Sequence, residues 1–373
     1  MWSQLSRDII ICVLHCCVTR DLAKTSAHLN KAWNNIAKIR RAWKYAIVKP
    51  RPHEVYTGII QNVFIEDSCS TWSGHDILSL SLRNFGLDSS HFYSNRINQP
   101  SFRHLQEFYA DFRWFGEELW SDISAALPVN MRRLALKRLF NEQTGISLAR
   151  FADSLEQLTL ESFEIIDTPV LGKLTHLTLE RARVSGATMI APNLTSVTLK
   201  NVTMQANVQM TEFFKASALA DFTWGFRRHA KHTSLAAERI LPLIAPSVAS
   251  LYFMGTLQNV SCFSNLRTAA VNIDHISSMY PLSAPQLSHL KLIAGVATKA
   301  FIYYYESIAA QLQTLTIFVP VNSYLLQFLQ KCCNLKIIRT NAQRDYLSQL
   351  RDWADPRVRI FIEYPCSNND GIL

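Results

Sequence analysis

The chain has 373 residues, of which 48% are hydrophobic and 18% are charged, and its formal net charge is +9 at pH 7. This composition excludes an intrinsically disordered chain, and the length suits an elongated repeat domain beside a small second domain. The positive charge permits acidic or phosphorylated partners but is not concentrated as in a dedicated nucleic-acid-binding protein. No apolar run approaches the length that crosses a membrane.

The eight cysteines indicate an intracellular protein. They form no Cys-x-x-Cys pair, and neighbours such as Cys332 and Cys333 suit neither a disulfide framework nor a zinc site. The segment from Ile9 to Val18 is apolar apart from His15, but no small-x-small cleavage site of a signal peptide follows it. We therefore expect reduced thiols and a cytoplasmic location, a nuclear location, or both.

Residues 1–48 predict a small domain of short helices. Asp21 stands where the N-cap of a second helix belongs, and a third helix carries Trp33 and ends near Trp43. The first helix has an apolar stripe at helical spacing, formed by Leu5, Ile9, Ile10, Val13, Leu14 and Cys17. Two interpretations follow: this segment binds a partner, or it caps the first repeat of the domain behind it.

The rest of the chain, residues 49–373, repeats the frame Leu-x-x-Leu-x-Leu. The frame is clearest at Leu155, Leu174 and Leu194, which are 19 and 20 residues apart (174 − 155 and 194 − 174). It predicts a strand whose fourth and sixth positions are buried, while the third, fifth and seventh positions face outward. Weaker copies begin at Ile60, Ile77, Leu105, Met131, Leu219, Val248, Leu266, Leu287, Leu312 and Leu335. One such unit cannot bury its own apolar face, so we expect the copies to stack.

A second repeated phrase supports this register. Ala-Pro-x-apolar opens the predicted strand at Ala191, Ala245 and Ala284, where proline ends the preceding helix or loop and favours extended backbone. The alternative is that apolar alternation only marks the strands of an ordinary α/β domain. Three near-identical copies in tandem favour the repeat interpretation over that alternative.

Two family resemblances follow from these patterns. The repeat frame and its spacing resemble the strand of a leucine-rich repeat. The N-terminal segment resembles an F-box through Leu5-Ser6-Arg7-Asp8-Ile9-Ile10, Val13-Leu14, Arg20-Asp21-Leu22, Thr25-Ser26, Leu29-Asn30-Lys31-Ala32-Trp33, Ile36 and Trp43. It departs from that family at Ser6, where proline is usual, at Arg7-Asp8, which replaces a proline/acidic-type pair, and at Leu29, where valine is common. The whole chain resembles an F-box/leucine-rich-repeat protein.

This resemblance implies an α/β leucine-rich-repeat solenoid, with parallel strands on its concave face and helices or loops on its convex face. It implies an F-box-like helical domain at residues 1–48 and roughly a dozen irregular repeats at residues 49–373. Proteins of this family are substrate receptors of SCF-type cullin–RING ubiquitin ligases. Their F-box binds the Skp adaptor, and their repeats bind a protein substrate.

By position in the family pattern, the resemblance implies adaptor-binding roles for Leu5, Asp8, Ile9, Ile10, Leu14, Asp21, Leu22 and Trp33. A three-helix element of this size has too small a core to be stable alone, which agrees with a binding partner. The chain has no Walker loop, dinucleotide fingerprint, zinc-protease motif or nucleophile elbow, so we expect no catalysis and no cofactor or metal. The alternative function is a leucine-rich-repeat scaffold outside any ligase, with the N-terminal helices as its cap.

The outward strand positions supply the candidates for substrate binding: Gln157, Thr159, Glu161, His176, Thr178, Glu180, Thr198, Lys200 and Tyr252. Threonine is common on any solvated sheet face, so the threonine column need not bind a ligand. Glu161 and Glu180 would repel each other on neighbouring strands unless a basic group lay between them, which suggests a basic substrate.

Two further segments consist of runs of similar residues. The basic run Arg227–His232 could contact phosphate, although such a run is more often a solvated loop. In the run Tyr303–Tyr305 we expect one ring to pack inward from a helix and the other two to face water.

Overall fold

The computed structural model describes residues 47–48, 62–65, 79–85, 103–112, 117–138, 144–167, 170–184, 190–204, 218–225, 241–253, 262–272, 282–341, 344–353 and 356–362. The chain divides into two compact units. The first unit is Met1–Leu174 with Arg181–Met189, and the second is Thr175–Glu180 with Ile190–Leu373. The F-box-like helices within residues 1–46 and the basic run Arg227–His232 lie outside the described residues.

The described part of the chain alternates strands with short turns and a few helices. In chain order it contains β1 (Ile47–Val48), β2 (Asn62–Ile65), β3 (Ser79–Phe85), β4 (Glu107–Phe112), α1 (Glu117–Ala126), β5 (Arg133–Arg138), β6 (Thr144–Ile146), a 3-10 turn (Ala149–Phe151), β7 (Gln157–Glu161), β8 (Phe163–Ile165), β9 (His176–Glu180), β10 (Arg183–Val184), β11 (Ser196–Lys200), β12 (Thr203–Met204), β13 (Asp221–Gly225), β14 (Ser250–Phe253), β15 (Thr268–Asn272), β16 (His289–Ala294), α2 (Lys299–Ala309), β17 (Thr314–Ile317), α3 (Ser323–Gln330), β18 (Ile337–Thr340), α4 (Arg344–Trp353) and β19 (Arg359–Ile362).

The first unit holds a parallel sheet in the order β1-β2-β3-β4-β5-β7. Equivalent frame positions lie side by side, because Leu134 is in register with Leu158 and Leu136 with Leu160. All four leucines are buried. The predicted strand frame and its inward-facing positions are therefore confirmed for β5 and β7.

The second unit holds a parallel sheet in the order β9-β11-β13-β14-β15-β16-β17-β18-β19. Leu177, Val197, Phe222 and Leu251 form one in-register row at the fourth frame position, and each is at most 2% exposed. Apolar side chains stacked in this way build a continuous core from strands that could not bury their faces alone. A strand lies at each of the thirteen predicted frame positions.

The parallel pairing extends beyond the predicted frame at both ends. β1 at Ile47–Val48 pairs with β2, so the sheet starts two residues inside the range predicted for the helical domain. β19 pairs with β18, although no strand was predicted beyond the Leu335 copy. Both were missed because the frame is broken there: its sixth position in β1 falls on Pro50, and its first position in β19 falls on Arg357.

Tight turns bring the first leucine of a frame into place. The backbone N–H of Leu194 donates to Ala191 O at 3.3 Å, and that of Leu287 donates to Ala284 O at 3.0 Å. Both alanines are buried beneath these turns. The Ala-Pro lead-in thus forms a turn ahead of the strand, rather than the extended entry into the strand that the sequence predicted.

Side chains in these turns also tie neighbouring repeats together. Asn265 Nδ2 donates to Pro246 O at 2.6 Å, and Asn334 Nδ2 donates to Ala310 O, also at 2.6 Å. In the first unit Ser154 Oγ takes the same role by donating to Met131 O at 2.8 Å. Each donor stands directly before the first apolar residue of its frame, so the position has a repeated structural role.

A second, smaller parallel sheet in the first unit has the order β6-β8-β10. β8 begins two residues after the end of β7, and β10 begins three residues after the end of β9. The residue that follows β7 is Ser162, with φ 65°, and the residue that follows β9 is Arg181, with φ 50°. These left-handed residues turn the chain sharply between the two strands.

Asp167 fastens the turn that follows β6. Its Oδ2 accepts from the backbone N–H groups of Leu148 and Ala149, both at 2.9 Å, and the Ser147 hydroxyl also donates to it. These donors precede or begin the 3-10 turn, whose Phe151 is fully buried. A charged acceptor thus satisfies the backbone donors at the start of a turn that carries a core residue.

Helices α2 and α3 pack against each other in the second unit. Phe301 of α2 and Phe328 of α3 meet edge to face, with ring centroids 5.0 Å apart. In α2, the prediction of one inward tyrosine was wrong: Tyr304 and Tyr305 are both buried, while Tyr303 is 52% exposed. The stripe Phe301, Tyr304, Tyr305 and Ile308 has the i, i+3, i+4, i+7 spacing of a single buried helix face, which accommodates both rings.

The chain is therefore a mixed α/β protein with extensive parallel sheet, an architecture compatible with a solenoid. Within the described residues, no helix is both long enough and apolar enough to cross a membrane.

Candidate functional site

Each main sheet presents one outward surface, which we call the open face. It consists of the third, fifth and seventh frame positions. Strand alternation places these side chains opposite the core: in β7, Gln157, Thr159 and Glu161 are partly exposed while Leu158 and Leu160 are buried. All nine candidate residues for substrate binding lie on main-sheet strands at open-face positions, and none is fully buried.

A shallow groove of about 250 Å³ crosses the open face of the first unit. It forms where Ala135, a small residue, stands between Tyr109 and Thr159 on the neighbouring strands. Arg133 and Gln157 line the same groove. Two of the candidate residues, Gln157 and Thr159, therefore line one groove together with Tyr109 and Arg133.

Charges on the open face of the first unit are paired with one another. Arg133 Nη1 lies 3.1 Å from Glu107 Oε1, and Lys137 Nζ lies 3.4 Å from Glu161 Oε2. Arg181 also bonds to Glu161, through Oε1. Lys137 and Arg181 of the chain itself are therefore the basic groups beside Glu161, so this carboxylate is paired without a basic substrate.

The other candidate residues occupy the second unit. Thr178, Thr198, Thr223 and Tyr252 form an in-register row across β9, β11, β13 and β14, and Lys200 is in register with Glu180. Burial raises the pKa of the Tyr252 hydroxyl, so the group remains a neutral hydrogen-bond donor and acceptor near pH 7. This row offers hydroxyl groups to a ligand and no strong charge.

The row changes character further along the same sheet. Beyond Tyr252 the fifth frame position holds Ala270, Lys291, Thr316, Arg339 and Phe361. Lys291 Nζ stands 4.8 Å from the centroid of the Phe318 ring. The basic character of this region was not predicted, because Arg339 lies in a weak copy of the frame and no strand was predicted at β19.

A separate cavity lies beside the end of α3 and the segments that lead into β18 and β19. Cys332, Cys333, Lys336 and Asp352 are among its lining residues. Burial, with a smaller contribution from Cys333, raises the pKa of the Cys332 thiol to about 12, so this thiol is a poor nucleophile at neutral pH. Cys333 is exposed. The described residues contain no group of three or more histidine, cysteine and acidic side chains placed to hold a metal ion.

No protein-family model matches the chain, and no curated protein matches it. The residues expected to bind an adaptor, from Leu5 to Trp33, lie outside the described part of the structure.

Proposed function

We propose that this protein is the substrate-recognition subunit of an SCF-type cullin–RING ubiquitin ligase. In this proposal residues 1–46 form an F-box that binds the Skp adaptor, and the strands behind it are leucine-rich repeats that bind a protein substrate. The protein would act in the cytoplasm, the nucleus or both, and other subunits would perform the catalysis.

The observation that carries the proposal is the in-register stacking of parallel strands on the Leu-x-x-Leu-x-Leu frame. Successive paired strands in the second unit begin 18 to 29 residues apart (268 − 250 and 250 − 221), and all but the shortest of these spacings lie within the length of a leucine-rich repeat. This stacking supports the repeat half of the resemblance. The F-box half rests on the N-terminal sequence, and the two together are what favour a ligase receptor.

The open face suits the role of a receptor. Many of its side chains are hydroxyls, amides and charged groups on strands, and rigid elements position binding groups more precisely than loops do. Apolar side chains between them are committed to the core, so binding need not disturb the fold.

Co-purification with the Skp adaptor tests the proposal. The full chain should capture the adaptor, and Leu14→Asp/Leu22→Asp should lose it, because both leucines belong to the expected adaptor-binding set. A matched control, Lys24→Asp/Asn34→Asp, changes the same segment outside that set and should retain capture. Circular dichroism of all three proteins establishes that they are folded.

Failure of the native chain to capture the adaptor would refute the proposal. The N-terminal segment would then be a cap on the first repeat, and the protein would be a free-standing repeat scaffold. Equal capture by the native chain and the leucine variant would refute the assigned binding residues.

A further inference from the structure

Strand β19 forms the last edge of the sheet in the second unit, and within the described residues no strand pairs with its outer side. Its side chains Phe361 and Ile362 are 48% and 39% exposed. Ile362 holds the sixth frame position, where Ile317, two strands further in, is fully buried. The edge therefore exposes apolar side chains of a kind that the interior strands bury.

The backbone of β19 shows which groups this edge offers to a further strand. The Arg359 N–H donates to Lys336 O at 2.9 Å, so Arg359 directs its backbone groups toward β18. Successive residues of a strand direct their N–H and C=O groups to opposite sides, so Ile360 and Ile362 direct theirs to the outer edge. Proline or a bulge often protects such an edge, but β19 contains no proline and pairs with β18 in continuous register.

The sequence at this edge complements itself in an antiparallel pairing. It reads Arg359-Ile360-Phe361-Ile362-Glu363, with Phe361 at its centre. When two copies pair about that centre, each arginine stands opposite the glutamate of the other copy, and each Ile360 stands opposite an Ile362. Directly opposite residues share a face of the sheet, so opposite charges meet on the open face and isoleucines meet on the core face.

The directions of the backbone groups agree with this register. In an antiparallel pair, residues that exchange both hydrogen bonds alternate with residues that exchange none. Ile360 and Ile362 both face the outer edge, so each can exchange two hydrogen bonds with its opposite residue in the second copy. Phe361 then forms the central pair without hydrogen bonds, in which the two Cα atoms are about 4.5 Å apart. A shift by one residue would set edge-facing groups against groups that face β18, which excludes that register.

We propose that two copies of this protein form a twofold dimer through antiparallel pairing of β19 with β19. About four main-chain hydrogen bonds, the two isoleucine pairs and the two arginine–glutamate pairs join the copies. The twofold operation uses the same edge of both copies and therefore closes the assembly at a dimer. A contact this small gives a weak dimer, with a dissociation constant of about 1–100 μM. The proposal does not depend on the ligase function.

Sedimentation velocity of the full chain, from about 1 to about 200 μM, tests the proposal because this range brackets the expected dissociation constant. The native chain should pass from monomer to dimer. Ile362→Pro removes the N–H group that the second copy uses, and it removes no hydrogen bond to β18 because that group faces the outer edge. This variant should weaken the dimer at least about tenfold.

A charge exchange tests the pairing of Arg359 with Glu363. Arg359→Glu and Glu363→Arg should each weaken the dimer about 5–30-fold, because two attractions become repulsions. The double variant Arg359→Glu/Glu363→Arg should restore the dissociation constant to within about threefold of the native value. Lys299→Glu is the control, since it makes the same charge change as Arg359→Glu at an exposed position on α2. It should alter the dissociation constant by less than about twofold.

Disulfide cross-linking tests the register itself. Phe361→Cys places two thiols on the central pair, where a Cα separation of about 4.5 Å suits a disulfide. Arg359→Cys is its control, because the two introduced cysteines would lie about 13 Å apart along the strands. Under mild oxidation Phe361→Cys should form covalent dimers well above the background of the native chain, and Arg359→Cys should remain at that background.

Several results would overturn the proposal. A native chain that stays monomeric throughout the concentration range would refute it, and so would assemblies that grow beyond a dimer. Native-strength dimers of Ile362→Pro would show that the copies associate through another surface. A double charge variant no tighter than the single variants, or equal cross-linking at positions 359 and 361, would refute the register. Circular dichroism establishes that each variant is folded, and Arg359→Glu keeps the test valid if the proline variant unfolds.

Discussion

Replacing Asp167 with alanine should destabilise the first unit by about 2–3 kcal/mol. The carboxylate accepts from the backbone N–H groups of Leu148 and Ala149 and from the Ser147 hydroxyl. A hydrogen bond to a charged group contributes about 1.5–3 kcal/mol, and partial exposure of Asp167 keeps the total near the value for one such bond rather than three. Asp167→Asn should cost about 1 kcal/mol, because the amide oxygen still accepts but the charge and one acceptor are lost.

Urea denaturation followed by circular dichroism measures the free energy of unfolding, and hydrogen exchange across residues 147–151 localises the effect. The exchange of the Leu148 and Ala149 amides should accelerate in both variants, and more in Asp167→Ala. Asp153→Ala is the control, because Asp153 is exposed in the same unit; it should change the stability by less than about 0.5 kcal/mol. A cost for Asp167→Ala no larger than that of the control would refute the assigned role of the carboxylate.

Two further predictions concern the second unit. Iodoacetamide at pH 8 should modify Cys333 at least about tenfold faster than Cys332, because burial raises the pKa of the Cys332 thiol to about 12 and leaves little thiolate at pH 8. Tandem mass spectrometry of the tryptic peptide that contains both cysteines measures the two modification rates. Equal rates in the native protein would contradict the prediction. Phe301→Ala should lower the free energy of unfolding by about 3–5 kcal/mol, because it removes a fully buried ring whose centroid lies 5.0 Å from those of Tyr305 and Phe328. A loss below about 1.5 kcal/mol in thermal or urea unfolding would show that α2 and α3 are not coupled through this ring.

The strand positions were predictable because a single physical requirement sets them. Most main-sheet strands bury their fourth and sixth frame positions against their neighbours, and this requirement keeps both positions apolar even where the first leucine is replaced, as at Met131. The sixth position of β18 is an exception, because the buried residue there is Thr340. The prediction ended where proline or arginine interrupts the frame, at Pro50 and Arg357. There the strand is held by backbone pairing with one neighbour, which sequence alternation does not report.

The polar features were much harder to predict. The clamp by Asp167 joins residues about 20 positions apart, and a single aspartate after a strand has no distinctive pattern in the sequence. The turn donors Asn265 and Asn334 form a recognisable position once the register is known, directly before the first apolar residue. A prediction that Glu161 pairs with Lys137 and Arg181 would have required the register of separate strands and the direction of their long side chains.

The pairing order of the strands has a consequence for how the chain folds. In the first unit β1 and β2 are separated by 15 residues in register (62 − 47), and the largest separation in the second unit is 29 (250 − 221). A doubling of loop length of this size costs only about 0.6 kcal/mol in closure entropy, so no pairing within either sheet faces a large barrier from chain length. Each strand can add to the edge formed by the one before it, which lets folding advance along the chain during synthesis at the ribosome. Within each unit, ribosomes stalled at successive repeats should therefore carry a growing protease-resistant sheet.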